Sequence, residues 1–328
     1  MTEEELNELF GQRFEIDSLE LKDGVVWSGV LRDRKIAART APIVGGIPRF
    51  VSGENYADGF GLQWNTFRST QLDSRTGRRL SFQRFWENTK WEPRDLYGKR
   101  ILEAGSGAGR FTEILLNAGA HVVTFDLSSA VDANYANNSA RGASVFFQGD
   151  IFDIPCEDGY FDFVFCYGVL QHTPDPDRAF RELVRTLRPG GKISVDFYVK
   201  TDKLDPFNQP KYFWRRWTTS MQPDRLLRVL NTYIPIWLPI DTAIRRIPYF
   251  GPKILGALRI PCWNYLRSGL SRQQRREWAV LDTFDALSAQ YDEPRTLDQV
   301  RTMAALPELG EVDVFYGSNG VVANATRR

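Results

Sequence analysis

Histidine and cysteine are scarce in this 328-residue chain, which has two of the first and three of the second. Cys156, Cys166 and Cys262 are too scattered for a disulfide framework or a thiolate metal site, which fits a reducing compartment. With so few histidines as well, no metal is expected. Long apolar runs are also lacking. No stretch approaches 18 uninterrupted apolar residues, which excludes a spanning helix. The start, MTEEELNELF, is acidic and amphipathic, without the basic and apolar regions of a signal peptide, so the expected location is cytoplasmic. Net charge is close to absent: 42 Lys and Arg against 41 Asp and Glu give +1, no global reason to expect a nucleic acid. Apolar residues at 42% and charged residues at 25% exclude a disordered or collagen-like chain. The length predicts two domains, or one with large insertions.

The charge is unevenly spread. Residues 211–276 hold thirteen Lys and Arg against Asp224 and Asp241 only, a net +11, so the remainder carries −10. This segment is also rich in aromatics and is interrupted by prolines, among them Pro235 and Pro239. Its positions Leu226, Val229, Leu230, Tyr233 and Trp237 follow helical spacing, which predicts burial within a cap. A basic, Trp-rich surface could instead rest on an anionic membrane, or bind nucleic acid, the less favoured reading.

Four parts follow from the pattern. Residues 1–51 form a small β-rich segment, with runs FEIDSLEL and GVVWSGVL and a closing PIVGGIPRFV. Residues 52–97 are a helical lead-in containing LSFQRFWENT. Residues 98–200 alternate apolar runs (KRILEAG, HVVTFDL, SVFFQGD, FDFVFCYG, KISVDFYV) with amphipathic stretches, the βαβ signature of a parallel sheet. After the insertion 201–294, residues 295–328 supply the helix TLDQVRTMAAL and a hairpin around Ser-Asn-Gly.

ILEAGSGAGRF joins a strand to a helix, where Gly105, Gly107 and Gly109 permit a tight turn and let backbone N–H groups approach a ligand. The spacing is G-x-G-x-G. Arg110 fills the third glycine position of the dinucleotide fingerprint and Glu103 precedes the loop, both of which count against NAD. Asp126 ends the second strand, 21 residues after Gly105, where a carboxylate can accept from both hydroxyls of a ribose. Asp150 ends the third strand and could accept from an adenine amino group. Three acids at three strand ends converge on one crevice.

These residues resemble the class I S-adenosylmethionine-dependent methyltransferases, small-molecule branch. The match is carried by LEAGSGAG, the strand-ending Asp126, GDIFDIP, FDFVFCYGVLQHTPDP and AFRELVRTLRPGGKISVDF. The resemblance implies an α/β fold, a doubly wound seven-stranded, mostly parallel sheet in which a C-terminal hairpin adds one antiparallel strand, with a small N-terminal β segment and a helical cap insertion. It implies S-adenosylmethionine as cofactor, held by Glu103, Gly105, Ser106, Gly107, Gly109, Asp126, Leu127, Asp150, Ile151, Tyr167 and Gly168. Residues 17–51 look like the zinc ribbon that precedes some bacterial methyltransferases, but without its cysteines. GFGLQWNTFRSTQLDS and WAVLDTFDALSAQYDEP resemble segments of methyltransferases from bacterial glycan and polysaccharide pathways. The implied acceptor is a small molecule or glycan, possible also in lipid-linked form, reached at the inner face of a membrane if 211–276 rests there.

A hydroxyl acceptor must lose a proton during methyl transfer. His172 follows the fourth strand at the crevice, and an imidazole, titrating near about 6.5, suits that work. The same side chain could instead only shape the loop, in which case Asp282 and Asp285 are the next candidates. His121, at the amino end of its strand, reads as structural. The sequence lacks the N-P-P-Y type turn of amino-adenine enzymes, the nucleophilic Cys of cytosine-C5 enzymes and the strand-end Asp of magnesium-dependent catechol-type enzymes. An RNA methyltransferase with a phosphate-clamping cap and a non-catalytic cofactor-binding regulator remain as alternatives.

Overall fold

Near-continuous apolar runs between amphipathic stretches demand a sheet covered on both faces, since only there can every side chain of a strand leave water. The computed structural model describes residues 1–36, 38–51, 55–200 and 210–328. Residues 52–54 of the expected lead-in and 201–209 of the expected insertion lie outside them. The strands are β1 (Phe14–Lys22), β2 (Val25–Asp33), β3 (Thr40–Val44), β4 (Ile47–Pro48), β5 (Arg100–Ala104), β6 (His121–Asp126), β7 (Ser144–Gln148), β8 (Phe161–Cys166), β9 (Leu187–Phe197), β10 (Leu309–Gly317) and β11 (Gly320–Arg327). The large sheet runs β10-β11-β9-β8-β5-β6-β7. Strands β5 to β9 pair in parallel, and β10 leads through the Ser318-Asn319 turn into β11, which runs antiparallel to both β10 and β9. The expected seven-stranded sheet with one antiparallel strand is therefore what forms.

The strand order reverses beside β5, so the carboxyl ends of β5, β6 and β8 open onto one crevice, the usual position for a ligand in such a sheet. Helices cover both faces, among them Ala130–Asn138 and Pro176–Thr186, the latter capped by Asp175. The N-terminal meander β1–β4 is built onto the β7 edge. Phe50 N–H donates to the Gln148 carbonyl at 2.9 Å, which satisfies part of an edge that would otherwise stand open. Phe10 and Phe50 pack edge-on against Phe147, which stacks on Phe125, so the meander and the sheet share one apolar core.

Residues 210–288 form the cap. Its helices are Pro210–Thr218, Pro223–Arg245, Phe250–Leu258 and Arg272–Ser288. Leu226, Leu230, Ile234 and Leu238 of the long helix meet Ala279, Phe284 and Leu287 of the last one. Two details differ from the sequence pattern. Val229 points outward and is 47% exposed, and the long helix passes through Pro235 and Pro239 without a break. The carbonyls those prolines leave free belong to Asn231 and Pro235, which are not buried, so water can satisfy them. Among the described residues no helix is long and apolar enough to cross a membrane.

One glycine shows how tightly the sheet and its helices fit. Gly109 has φ +86°, and a Cβ there would lie 1.9 Å from Asn134 Oδ1 and 2.3 Å from Asn138 Nδ2. Gly109→Ala should lower stability by about 2–4 kcal/mol, combining left-handed backbone strain with overpacking. Chemical denaturation checks this, and a loss below about 0.5 kcal/mol would mean the loop relaxes freely.

Candidate active site

The loop after β5 turns back on the end of β6. Gly105 and Ser106 N–H groups donate to the Phe125 carbonyl at 2.8 and 3.1 Å, and Gly107 N–H donates to Asp126 Oδ2 at 3.0 Å. Gly105 and Gly107 have φ +69° and +54°. A Cβ on the first would strike Val169 at 2.2 Å and one on the second would meet the Trp64 indole at 3.0 Å. The glycines therefore serve both the turn and the close packing above it. Asp126 also accepts from Ser128 N–H and Oγ at 2.9 and 2.7 Å. Burial pushes its carboxyl above the ordinary range.

A cavity of about 820 Å³ opens over these strand ends, within the range of small-molecule sites. Gly105, Ser106, Gly107, Asp126, Leu127, Ile151, Tyr167, Gly168 and His172 line it. Three expected contacts are not among the residues that line it. Glu103 points beneath the loop, where Thr112 and Thr124 hydroxyls donate to its Oε2 and burial pushes it up to about 7. Gly109 is fixed by the packing described above. Asp150 accepts from Phe152 N–H at 2.9 Å and caps its own turn, while its neighbour Gly149 reaches the cavity.

Several wall residues were invisible to motif reading. The helix Asp58–Thr66 lies over the glycine loop, and Tyr56, Phe60, Gln63 and Trp64 face the cavity. Asn65 ties this helix to the Ser129 carbonyl at 2.8 Å. Gln63 is fully buried, and neither amide atom has a hydrogen-bond partner among the described residues. The Ser106 hydroxyl is likewise buried and unpartnered. Such groups are costly unless something bonds them. Asp196 at the end of β9 accepts from Gly168 N–H at 2.6 Å and pairs with buried Arg84 at 2.5 Å. The signal available in sequence was the aromatic, polar texture of 52–97 and a strand-ending Asp in VDF.

The far wall is the helix Arg272–Ser288. Asp282 accepts from Gln71 Nε2 at 3.2 Å, and Arg110 donates to Gln71 Oε1 at 2.6 Å. Burial, reinforced by Asp285, pushes Asp282 up to about 7, while burial and neighbouring Arg84 push Arg110 down to about 10. His172 sits on the 3-10 turn Leu170–His172, with the rings of Phe60 and Tyr198 at 5.4 and 5.5 Å. Its Nδ1 is 2.9 Å from the Tyr291 carbonyl, which can only accept, so Nδ1 carries the hydrogen. Nε2, the lone-pair nitrogen of the neutral ring in that tautomer, is buried without a partner among the described residues. No group of three or more potential metal ligands occurs among the described residues.

The residues fit the cofactor that the sequence resemblance implies. Unpartnered Ser106 and Gln63 and the remaining lone pair on Asp126 Oδ2 offer polar contacts to an adenosyl-methionine group, within a space bounded by Tyr56, Phe60 and Ile151. Asp126→Ala should weaken S-adenosylmethionine binding by roughly 1.5–3 kcal/mol in calorimetry, whereas unchanged affinity would remove the carboxylate from the site. Glu103 holds a proton in the folded chain between its unfolded value of 4.5 and about 7, so its contribution to stability falls as pH rises through that window. Thermal melts should therefore show Glu103→Gln losing less stability than the parent between pH 5 and 8. Equal pH dependence would place the titration elsewhere.

Residues 102–195 match the family model described as a methyltransferase domain. The chain is 32% identical over 100 residues to ubiquinone biosynthesis O-methyltransferase of Coxiella burnetii, covering 30% of this chain and 43% of that one. It is 34% identical over 112 residues to an uncharacterised Synechococcus protein, covering 32% of this chain and 27% of that one. The chain thus spans less than half the length of these curated relatives. Among solved structures, a candidate S-adenosyl-L-methionine-dependent methyltransferase from Methanococcus maripaludis aligns with 14% identity over 84% of this chain and 96% of that one, with a TM-score of 0.43. Residues 102–195 are thus similar to a methyltransferase domain, and they lie within the seven-stranded, mostly parallel sheet described above.

Proposed function

We propose that this chain transfers a methyl group from S-adenosylmethionine to a hydroxyl oxygen of a small-molecule or glycan acceptor, with His172 receiving the proton. The observation that carries the reading is the buried, orphaned Nε2 of His172, a residue that lines the cavity and whose ring is set by the Tyr291 carbonyl. Bound in the crevice, the cofactor supplies an electrophilic methyl group on a positively charged sulfur. The remaining work belongs to the protein. Asp126 holds the ribose hydroxyls, while the Gly105–Gly107 backbone, Ser106 and Gln63 hold the polar end of the donor. Tyr167, tied to Ser194 Oγ at 2.7 Å, and Gly168, tied to Asp196, form the floor near the reacting carbon.

On the acceptor side, Nε2 takes the hydroxyl proton as the new bond forms. Asp292 stabilises the resulting imidazolium. Burial opposes its ionisation, yet Lys211, 2.9 Å away, and then Arg215 and His172 keep its carboxyl below the ordinary range. Trp263, Tyr265, Asp282 and Asp285 line the same cavity and suit a polyhydroxylated acceptor, whose hydroxyls donate to carboxylates and whose carbon faces pack on rings. The likeness to the Coxiella O-methyltransferase supports oxygen as the atom methylated.

His172→Ala should lower turnover by about 10²–10⁴ while leaving donor affinity within about threefold. His172→Gln keeps a hydrogen-bonding amide and cannot take the proton, so it should be equally slow. A Gln variant with most of the parent activity would reduce His172 to a shaping role. The acceptor itself is found by screening labelled methyl transfer into sugar, lipid-linked and RNA fractions, where incorporation into RNA alone would contradict the reading.

A further inference from the structure

The helix Phe250–Leu258 is amphipathic in the inverted sense. Phe250, Ile254 and Leu258 recur every four residues along one face and are 65%, 39% and 46% exposed. Gly256 on the opposite face and Gly251 at the edge of the stripe are buried. A Cβ on Gly251 would lie 2.3 Å from the Ile244 carbonyl, so that edge is packed on the long cap helix. A helix of a soluble surface does the reverse, burying its apolar stripe. Tyr249, just before it, is 89% exposed.

The stripe continues onto a neighbouring helix. Trp214 Nε1 donates to the Arg259 carbonyl at 2.6 Å, which places the end of Phe250–Leu258 beside Pro210–Thr218. Trp214 and Trp217 are themselves partly exposed there. The charge around this apolar face has one sign. Asp241 pairs with Arg245 at 2.7 Å; beyond it, residues 246–259 contain Arg246, Lys253 and Arg259 and no acid, and neither Arg246 nor Lys253 forms a salt bridge among the described residues. Arg216 rests over the rings of Phe213 and Trp217. Aromatic side chains with a polar edge, aliphatic anchors and uncompensated cations together match an anionic lipid interface, where the rings enter the headgroup boundary and the cations meet phosphates.

We infer that the Tyr249–Leu258 face of the cap docks on anionic membrane surface. The complementarity of charge decides the occupant, since a second copy of this chain would bring a like-charged face against it.

The test is flotation of the full chain with vesicles of phosphatidylcholine alone and of phosphatidylcholine with phosphatidylglycerol. The chain should float with the anionic vesicles only, and less as salt is added. Arg246→Gln with Lys253→Gln should weaken binding about 30-fold, each cation contributing about a factor of five. Phe250→Ser with Ile254→Ser should weaken it by about tenfold or more. Both double variants should keep the thermal stabilisation that S-adenosylmethionine confers, which separates loss of docking from loss of fold. Equal recovery with neutral vesicles, no recovery with either, insensitivity to both double variants, a concentration-dependent dimer in place of vesicle binding, or competition in which RNA alone is bound would each overturn the inference.

Discussion

The structure turns on the return of the glycine loop to the end of β6. Three backbone N–H groups in succession, those of Gly105, Ser106 and Gly107, find acceptors on Phe125 and Asp126. This closure fixes where β5 ends relative to β6 and leaves the crevice open above them. The opposite bank uses the same device. Asp196 accepts from Gly168 N–H, and Arg84 compensates its buried charge. Two carboxylates, one on each side of the central strands, thus hold two loops by their backbone, and a buried carboxylate that accepts such bonds is far less costly than a bare one. The cavity, the tautomer of His172 and the lie of the covering helix are all measured from this frame.

Much of the frame could be read from residues alone. Apolar runs ending in Ala-Gly, Phe-Asp-Leu, Gln-Gly-Asp and Cys-Tyr-Gly mark strand ends, and βαβ connectivity sends those ends to one edge. What the pattern could not give was the direction of each side chain. Glu103 and Gly105 are two residues apart, yet the Glu103 carboxylate turns under the loop to meet Thr112 and Thr124 instead of the cavity. Asp150 stands at the correct edge, where its Oδ1 accepts from the Phe152 N–H of its own turn. Arg84 and Asp196 escaped notice because they are each other's partners, far apart along the chain, and no spacing rule links them. The prolines of the long cap helix suggested interruption, and the helix persists because the carbonyls they free are not buried.

The cap and the cofactor loop are joined by a buried relay. Arg110 follows the glycine loop, Gln71 follows the covering helix, and Asp282 belongs to the far wall. Gln71 accepts from one charge and donates to the other, so three distant segments meet through a single amide. Both charged ends are shifted toward neutrality by burial, Arg110 to about 10 and Asp282 to about 7. Polar networks of this kind are sensitive to any unpaired member. They give the acceptor wall and the donor wall a shared geometry.

With only two histidines, one exposed on β6 and one in the cavity, imidazole nitrogen resonances report on the site with little overlap. Nitrogen-15 NMR of the chain during titration with S-adenosylhomocysteine is the most direct test of the account. It predicts His172 in the Nδ1–H form, with an Nε2 resonance that shifts on binding while His121 stays unmoved. A His172 in the Nε2–H form, or one indifferent to the ligand, would contradict it.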